Sequence, residues 1–324
     1  MSVGLIAQYP RGFSSGVSIQ ELPILNTYSG KVFWVGNGVN LAPGEVGASN
    51  SNKGTFLRPF STLDYAVGQC SANRGDVILI KPGYTQSMTA ADAVDVDVAG
   101  VTIIGLGQGS KRAKFTYDNA AGEFVIGAEN VRIENLWFVP SVTAITHAVN
   151  VENGANYYQI VGCRFADAEA AGTDEFNASI VVSATATDGL IAFNYINMGE
   201  AGAVAAITLT DACDRTIIAN NIILGDYSTA NINTITAAQD DLIVMDNILV
   251  NGVTGGLNTE PTLELLTGSS GVVARNYSAA NVATLAAHQV NDTAANFQNY
   301  FTEDRGSAAT AAATSASITA SADD

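Results

Sequence analysis

Short β-prone runs, each interrupted by one asparagine or glycine, recur through this 324-residue chain at a nearly constant interval. The clearest is Leu242-Ile243-Val244-Met245-Asp246-Asn247-Ile248-Leu249-Val250. It is matched upstream by Thr216–Ile223 and Leu190–Ile196 and downstream by Gly271–Tyr277. Aligned on the interrupting residue, the series reads Gly105, Asn135, Gly162, Asn194, Asn221, Asn247 and Asn276, at intervals of 30, 27, 32, 27, 26 and 29 residues. A period in this range denotes repeated structural units stacked on one another. Asn and Gly are the residues that most readily adopt left-handed backbone, so each marked position is expected to be a bend.

Ahead of each bend lies another candidate strand: Phe124–Ile126, Ala148–Val151, Ser179–Val182, Ala206–Leu209, Thr234–Thr236 and Leu263–Leu266. A unit of strand, turn, strand, bend and strand, with no helical segment, excludes a doubly wound sheet and fits an all-β parallel β-helix of about seven or more coils. Coils stacked at the inter-strand spacing of about 4.8 Å would give seven bends a column of roughly 35 Å. Inward positions would form ladders of Ile, Val, Leu and Phe. Stacked asparagines can also hydrogen-bond along the axis.

The regions around the repeat differ. Residues 1–30 hold Pro10, Gly12, Gly16 and Pro23 among scattered apolar residues and read as an extended arm. Its Tyr9, Arg11 and Phe13 are assembly candidates: apolar side chains such as Tyr9 and Phe13 on an extended segment gain by lying against their own domain or a neighbour. Residues 31–281 form the β-helix domain, entered through the strand Lys31–Val35 and a short amphipathic helix at about 61–70, with Ser61 as N-cap and Asp64 three residues on. Residues 282–305 read as a C-terminal cap over the open strand edges, and 306–324 as an Ala/Ser/Thr-rich tail.

Charge narrows the partners. With 31 acidic against 14 basic residues the chain carries a formal −17, which repels phosphate backbones and anionic lipid and argues against direct nucleic-acid or membrane binding. Cys70, Cys163 and Cys213 are an odd number and read as buried free thiols. No stretch approaches a membrane-spanning length, and the N-terminus lacks the pattern of a signal peptide, so synthesis and folding in a cytoplasm are expected.

Several segments carry a family likeness. Lys31-Val32-Phe33-Trp34-Val35-Gly36-Asn37, Gly54-Thr55, Arg58-Pro59-Phe60-Ser61-Thr62-Leu63-Asp64-Tyr65-Ala66 and Gly75-Asp76-Val77-Ile78-Leu79-Ile80-Lys81-Pro82-Gly83 resemble the start of pectate-lyase-like right-handed β-helices. Together with the arm segment Gln8–Val17, the chain resembles β-helical structural proteins of tailed-phage virions, which decorate capsids or form tail appendages. That resemblance implies a homotrimer made in the host bacterial cytoplasm and located in the virion, with other virion proteins such as the major capsid protein as partners.

The enzymatic branch of that fold cleaves acidic polysaccharides, with carboxylate-held Ca²⁺ in lyases and paired carboxylates in hydrolases. Gln239-Asp240-Asp241 is similar to one element of polygalacturonase-like hydrolases, making Asp240 and Asp241 the catalytic candidates. The other elements of that family are absent, and both residues fall in the polar turn that holds Asp188, Asp211 and Asp214 in neighbouring coils. A solvated turn is therefore the competing reading. Asp188, Asp211, Asp214 and Asp240, with Arg215 or Arg275 nearby, could line one flank and hold Ca²⁺; otherwise no cofactor is expected.

The remaining polar and aromatic features read as structural. Gly105-Leu106-Gly107-Gln108-Gly109 leads into another strand, not the helix a dinucleotide site needs. His147 and His288 lack a visible nucleophile or metal partner. Trp34, Trp137, Tyr157, Tyr158 and Tyr195 are expected to pack inward or at contacts between copies, with a sugar-stacking surface as the other possibility. Three functions follow: a non-enzymatic structural virion protein acting by self-association and particle binding, a tailspike-like polysaccharide depolymerase or lyase, and a non-catalytic binder of host surface glycans.

Overall fold

The computed structural model describes residues 30–38, 41, 43–166, 174–183, 185–198, 203–234, 236–252, 260–266 and 268–280, and the backbone alone at 18–19, 22–23, 253, 256–257 and 305–307. The arm residues Tyr9, Arg11 and Phe13, His288 and almost all of the proposed cap and tail lie outside the described residues.

Three parallel sheets of nine, ten and seven strands wrap a single core. We call them sheets 1, 2 and 3 in the order the chain visits them. The first coil runs Val77–Ile80, Thr85–Met88 and Val94–Val96; the seventh runs Leu242–Met245, Ile248–Val253 and Leu263–Leu265. The chain is thus a parallel β-helix of seven complete coils, with Gly271–Ala274 and Tyr277–Ala279 beginning an eighth. One strand differs from expectation: the sixth coil enters sheet 3 over Ala230–Thr234, not Thr234–Thr236. Ile232 decides the register, because it is fully buried and pairs with Ile207 below and Leu263 above.

The interior is built from ladders of like residues. Sheet 1 stacks Ile78, Ile103, Ile133, Ile160, Ile191, Ile218, Val244 and Val273 in consecutive register, all buried. In sheet 2, Phe115, Phe138 and Phe165 stack with ring centroids 5.7 and 4.8 Å apart and planes 25° and 16° from parallel. Stacking of β-branched and aromatic side chains in register removes both neighbours from water at each step, so each coil stabilises the next.

The N-terminal end is closed. The strand Val32–Val35 extends sheet 1 by pairing with Val77–Ile80. Its outer edge bonds to a returning segment: Trp34 N–H donates to Gly54 O, Phe60 N–H to Trp34 O, and Gly36 N–H to Phe60 O. An edge occupied in this way cannot template another chain. Helix α1, Leu63–Val67, presses Leu63, Ala66 and Val67 onto the column. Its N-cap is Thr62, with no side-chain cap bond, not the expected Ser61. The free amides are taken instead by Asn50 Oδ1, which accepts from Ser61 N–H at 3.1 Å and Thr62 N–H at 3.2 Å, and by Gln86 Oε1, which accepts from Leu63 N–H at 3.2 Å. Only helix-terminal donors need a partner, and tertiary neighbours can supply it.

At the other end Arg305–Ser307 pairs in parallel with Tyr277–Ala279, so the sheet 2 ladder continues beyond residue 281. No helix among the described residues is long and apolar enough to cross a membrane.

Candidate functional site

The corner between sheets 1 and 2 is the most regular polar feature. From the fourth coil it contains two residues: Gly162-Cys163, Phe193-Asn194, Asn220-Asn221, Asp246-Asn247 and Arg275-Asn276. The first of each pair is left-handed, with φ of 62°, 58°, 56°, 56° and 54°. Asn135, at φ 58°, holds the same place in the third coil. The bend series expected from the sequence therefore needs a one-residue correction. Asn135 and Gly162 are the bends of their coils, whereas Asn194, Asn221, Asn247 and Asn276 each follow the bend. Gly105 is not left-handed; a Cβ there would stand 2.5 Å from Asn135 O, so glycine is needed for the close approach of the next coil.

The four displaced asparagines form one hydrogen-bonded ladder. Asn194, Asn221 and Asn247 each use Nδ2 to donate both to a carbonyl of the preceding coil and to the Oδ1 of the next asparagine, and Asn276 Nδ2 donates to Val244 O at 2.9 Å. Asn194 reaches Ile160 O at 2.9 Å and Asn221 Oδ1 at 3.1 Å. Asn221 reaches Ile191 O at 2.9 Å and Asn247 Oδ1 at 3.0 Å, and Asn247 reaches Ile218 O and Asn276 Oδ1, both at 2.9 Å. Each Oδ1 also accepts the backbone N–H of the residue one coil back, starting with Cys163 N–H on Asn194 Oδ1 at 2.8 Å. A buried amide with donors and acceptor engaged is structural, because no lone pair or proton remains for a substrate.

The opposite corner, leading into sheet 1, stacks Asn73, Gly100, Asn130, Tyr157, Asp188, Arg215 and Asp241, all left-handed. This is where Asp240 and Asp241 fall. Asp240 Oδ1 accepts from the Ser270 hydroxyl at 3.2 Å, its N–H donates to Asp214 Oδ1 at 2.9 Å, and Asp241 N–H donates to Ser270 Oγ at 3.0 Å. Both side chains are exposed at the turn. Asp188 is gripped by Arg215 of the next coil through Nε–Oδ1 at 2.7 Å and Nη2–Oδ2 at 2.8 Å. Those bonds, with one from the Thr187 hydroxyl, hold its carboxyl at about 2. At the first corner Arg275 grips Asp246 in the same way, at 2.7 and 2.6 Å. The two arginines expected beside a catalytic flank thus neutralise corner carboxylates on separate edges of sheet 1. Among the described residues no three His, Cys, Asp or Glu side chains are grouped to hold a metal ion.

The other candidates scatter. His147 Nε2 lies 2.5 Å from Glu123 Oε1, which also accepts from Asn150 Nδ2 at 2.8 Å. Trp34 packs edge-on against Phe56 near the capped end, Tyr158 is fully buried, and Tyr157 is an exposed bend. Only Trp137 and Tyr195 meet, through Arg164, whose guanidinium carbon is 5.2 Å from one ring centroid and 5.1 Å from the other. Lys114 Nζ lies 5.8 Å from Trp137 on the opposite side, completing an outward column on sheet 2. The motif Gly105–Gly109 enters a short 3-10 turn, Gly109–Lys111, and then the strand Ala113–Tyr117. The free thiols are inert: burial pushes Cys70 and Cys163 up to about 12 and Cys213 up to about 11.

The sequence alone did not single out Asp76. Fully buried, it accepts from the backbone N–H of Lys31 at 2.6 Å and of Ser71 at 2.8 Å and from Arg74 Nε at 2.7 Å, tying the entry strand to the first coil. The only local hint was its place in a Gly-Asp turn.

No family model and no curated protein matches the chain. Among solved structures it is similar to a rhamnogalacturonan lyase, at 13% identity over 83% of this chain and 88% of that one, with a TM-score of 0.41. PfbA, a surface adhesin of Streptococcus pneumoniae, matches at 14% identity over 86% and 71% of the two chains, with a TM-score of 0.47. An alginate lyase from Paenibacillus sp. str. FPU-7 matches at 14% identity over 75% and 94%, with a TM-score of 0.35. These likenesses are of fold, at identities that transfer neither substrate nor partner.

Proposed function

We propose that the protein is a non-enzymatic structural component of a tailed-phage virion, a capsid decoration or tail appendage protein that joins copies of itself and other particle proteins. One observation carries the assembly role: buried asparagines at one corner and an ion pair at each corner hold coil to coil. The asparagine ladder is buried and saturated, and Asp188 and Asp246 are paired to arginines one coil away. A column braced along its length suits a rigid strut. The virion setting rests on the resemblance of residues 31–83 and of the arm.

The test uses the full chain with Tyr9→Asp and Phe13→Asp. Its melting curve is expected to match the native protein, and electron microscopy of particles assembled with it should show the appendage missing. Normal incorporation would sink the arm as the attachment segment. Hydrolysis or eliminative cleavage of host polysaccharide, abolished by Asp240→Asn with Asp241→Asn, would replace the structural reading with the enzymatic one.

A second reading, non-catalytic glycan binding, is favoured by the outward column Lys114–Trp137–Arg164–Tyr195, a cationic and aromatic strip on an acidic molecule. It predicts retention on an acidic polysaccharide matrix, without shortening of the glycan, that is lost in Arg164→Ala.

A further inference from the structure

The outer face of sheet 1 is apolar in its last four rows. In the last four rows the outward positions are Leu190, Ala192, Ile217, Ala219, Ile243, Met245, Val272 and Ala274. All eight are apolar, although the inward positions of the same strands already fill the core. Strands apolar on both faces belong to sheets covered on both faces. The core covers one; on the other, Leu190, Ile217, Ile243, Met245 and Val272 stay part-exposed, while Ala192, Ala219 and Ala274 are already buried beside them.

The face has relief. Leu190, Ile217, Ile243 and Val272 stack as a ridge of large side chains, and Ala192, Ala219, Met245 and Ala274 stack beside them as a shallower column. Met245 interrupts the groove with an unbranched, adaptable side chain. In earlier rows the two columns continue as Val77, Thr102, Arg132 and Gln159, and as Leu79, Ile104, Glu134 and Val161.

We propose that this face binds a second copy of the chain about a two-fold axis parallel to the column. Such an axis exchanges the two columns without changing height, so the ridge of each copy lies over the shallower column of the other. The same operation sets Arg132 opposite Glu134 of the second copy, and Glu134 opposite its Arg132. A perpendicular in-plane axis would place ridge on ridge and lose both matches.

Charge restricts where a second copy can approach. The molecule carries −17, so two copies repel at most approaches. Two corner carboxylates at the edges of this face are neutralised, in the Asp188–Arg215 and Asp246–Arg275 pairs. Within the face Arg132 and Glu134 form a half-exposed pair at 2.8 Å, ready to be shared across an interface. Nine rows about 4.8 Å apart and four residues wide project to roughly 570 Å², short of the ~800 Å² per partner of a stable pair. The corner side chains Tyr157 and Phe193, 52% and 64% exposed, must add to the contact, and association should depend on concentration.

The inference deepens the assembly reading by naming one of its contacts, and it is tested by sedimentation equilibrium of the full chain. The native protein should show a monomer–dimer equilibrium, and Ile243→Glu should weaken it at least ~10-fold. Arg132→Glu and Glu134→Arg, on part-exposed outward positions that spare the core, should each fail to pair with themselves yet pair with one another when mixed. The mixing result is not expected from a mere loss of folding. A native trimer would preserve self-assembly and overturn this geometry. A chain monomeric at all concentrations, or single reversals that self-associate like the native protein, would overturn the contact, while incorporation into particles would still judge the assembly reading separately.

Discussion

At each sharp corner two adjacent residues divide the work, and substitutions should separate their roles. Asn220 bends the chain and is exposed, whereas Asn221 is buried and bonds two coils. Asn221→Ala would leave the Ile191 carbonyl and the Asn194 backbone N–H without their partners, so denaturant unfolding should show a loss of about 2–4 kcal/mol. Asn220→Gly keeps the backbone geometry and should change stability by under about 1 kcal/mol. Phe193 is the unusual bend, a bulky side chain at φ 58° and 64% exposed. Phe193→Asn should stabilise the isolated chain by about 1 kcal/mol, because Asn tolerates left-handed backbone and Phe does not. The sequence marked both members of the Asn220-Asn221 pair as polar. It could not say which would bend, since both are asparagine and a one-residue shift in register exchanges their environments.

At the level of elements, the first strand of sheet 3 holds a carboxylate under strain from its surroundings. Burial, with the charges of Asp97, Asp92, Glu152 and Asp64, pushes the Asp95 carboxyl up to about 6. A folded-state value above the usual 3.8 means that the folded protein binds this proton more tightly than the unfolded chain. The resulting stabilisation is present below about pH 4 and is lost as pH rises through 6. Asp95→Asn should therefore raise the melting temperature at pH 7, and the difference should close by pH 4. Helix α1 offers a second test. Asn50→Ala removes the acceptor for two N-terminal amides and should cost about 1–2 kcal/mol by chemical denaturation. The helix was legible from its apolar face, Leu63, Ala66 and Val67. Its true cap was not, because Asn50 is 11 residues from Ser61 and meets it only after the loop folds back.

The whole molecule is a stack in which each coil rests on its neighbours, under the self-repulsion of a −17 charge. Raising ionic strength from about 10 to 150 mM shortens the Debye length from ~30 to ~8 Å and should raise the melting temperature. A chelator should leave that temperature unchanged; a drop would reveal a bound cation and revive the Ca²⁺ candidate. The sequence by itself determined the parallel β-helix, because a 26–32-residue repeat of strands with left-handed corners leaves few ways to pair all backbone groups. It also determined which residues stack, since Ile191, Ile218 and Val244 recur at the same place in each unit. Only the tertiary structure decided that Asn194, Asn221, Asn247 and Asn276 form the ladder while their predecessors bend, and that Asp240 and Asp241 are exposed at the corner leading into sheet 1. It alone gathered eight apolar side chains onto the outer face of sheet 1. The physical reason is the pleat: alternate residues face opposite ways, so an unbroken apolar run in sequence becomes one core and one surface only once the strands are in register.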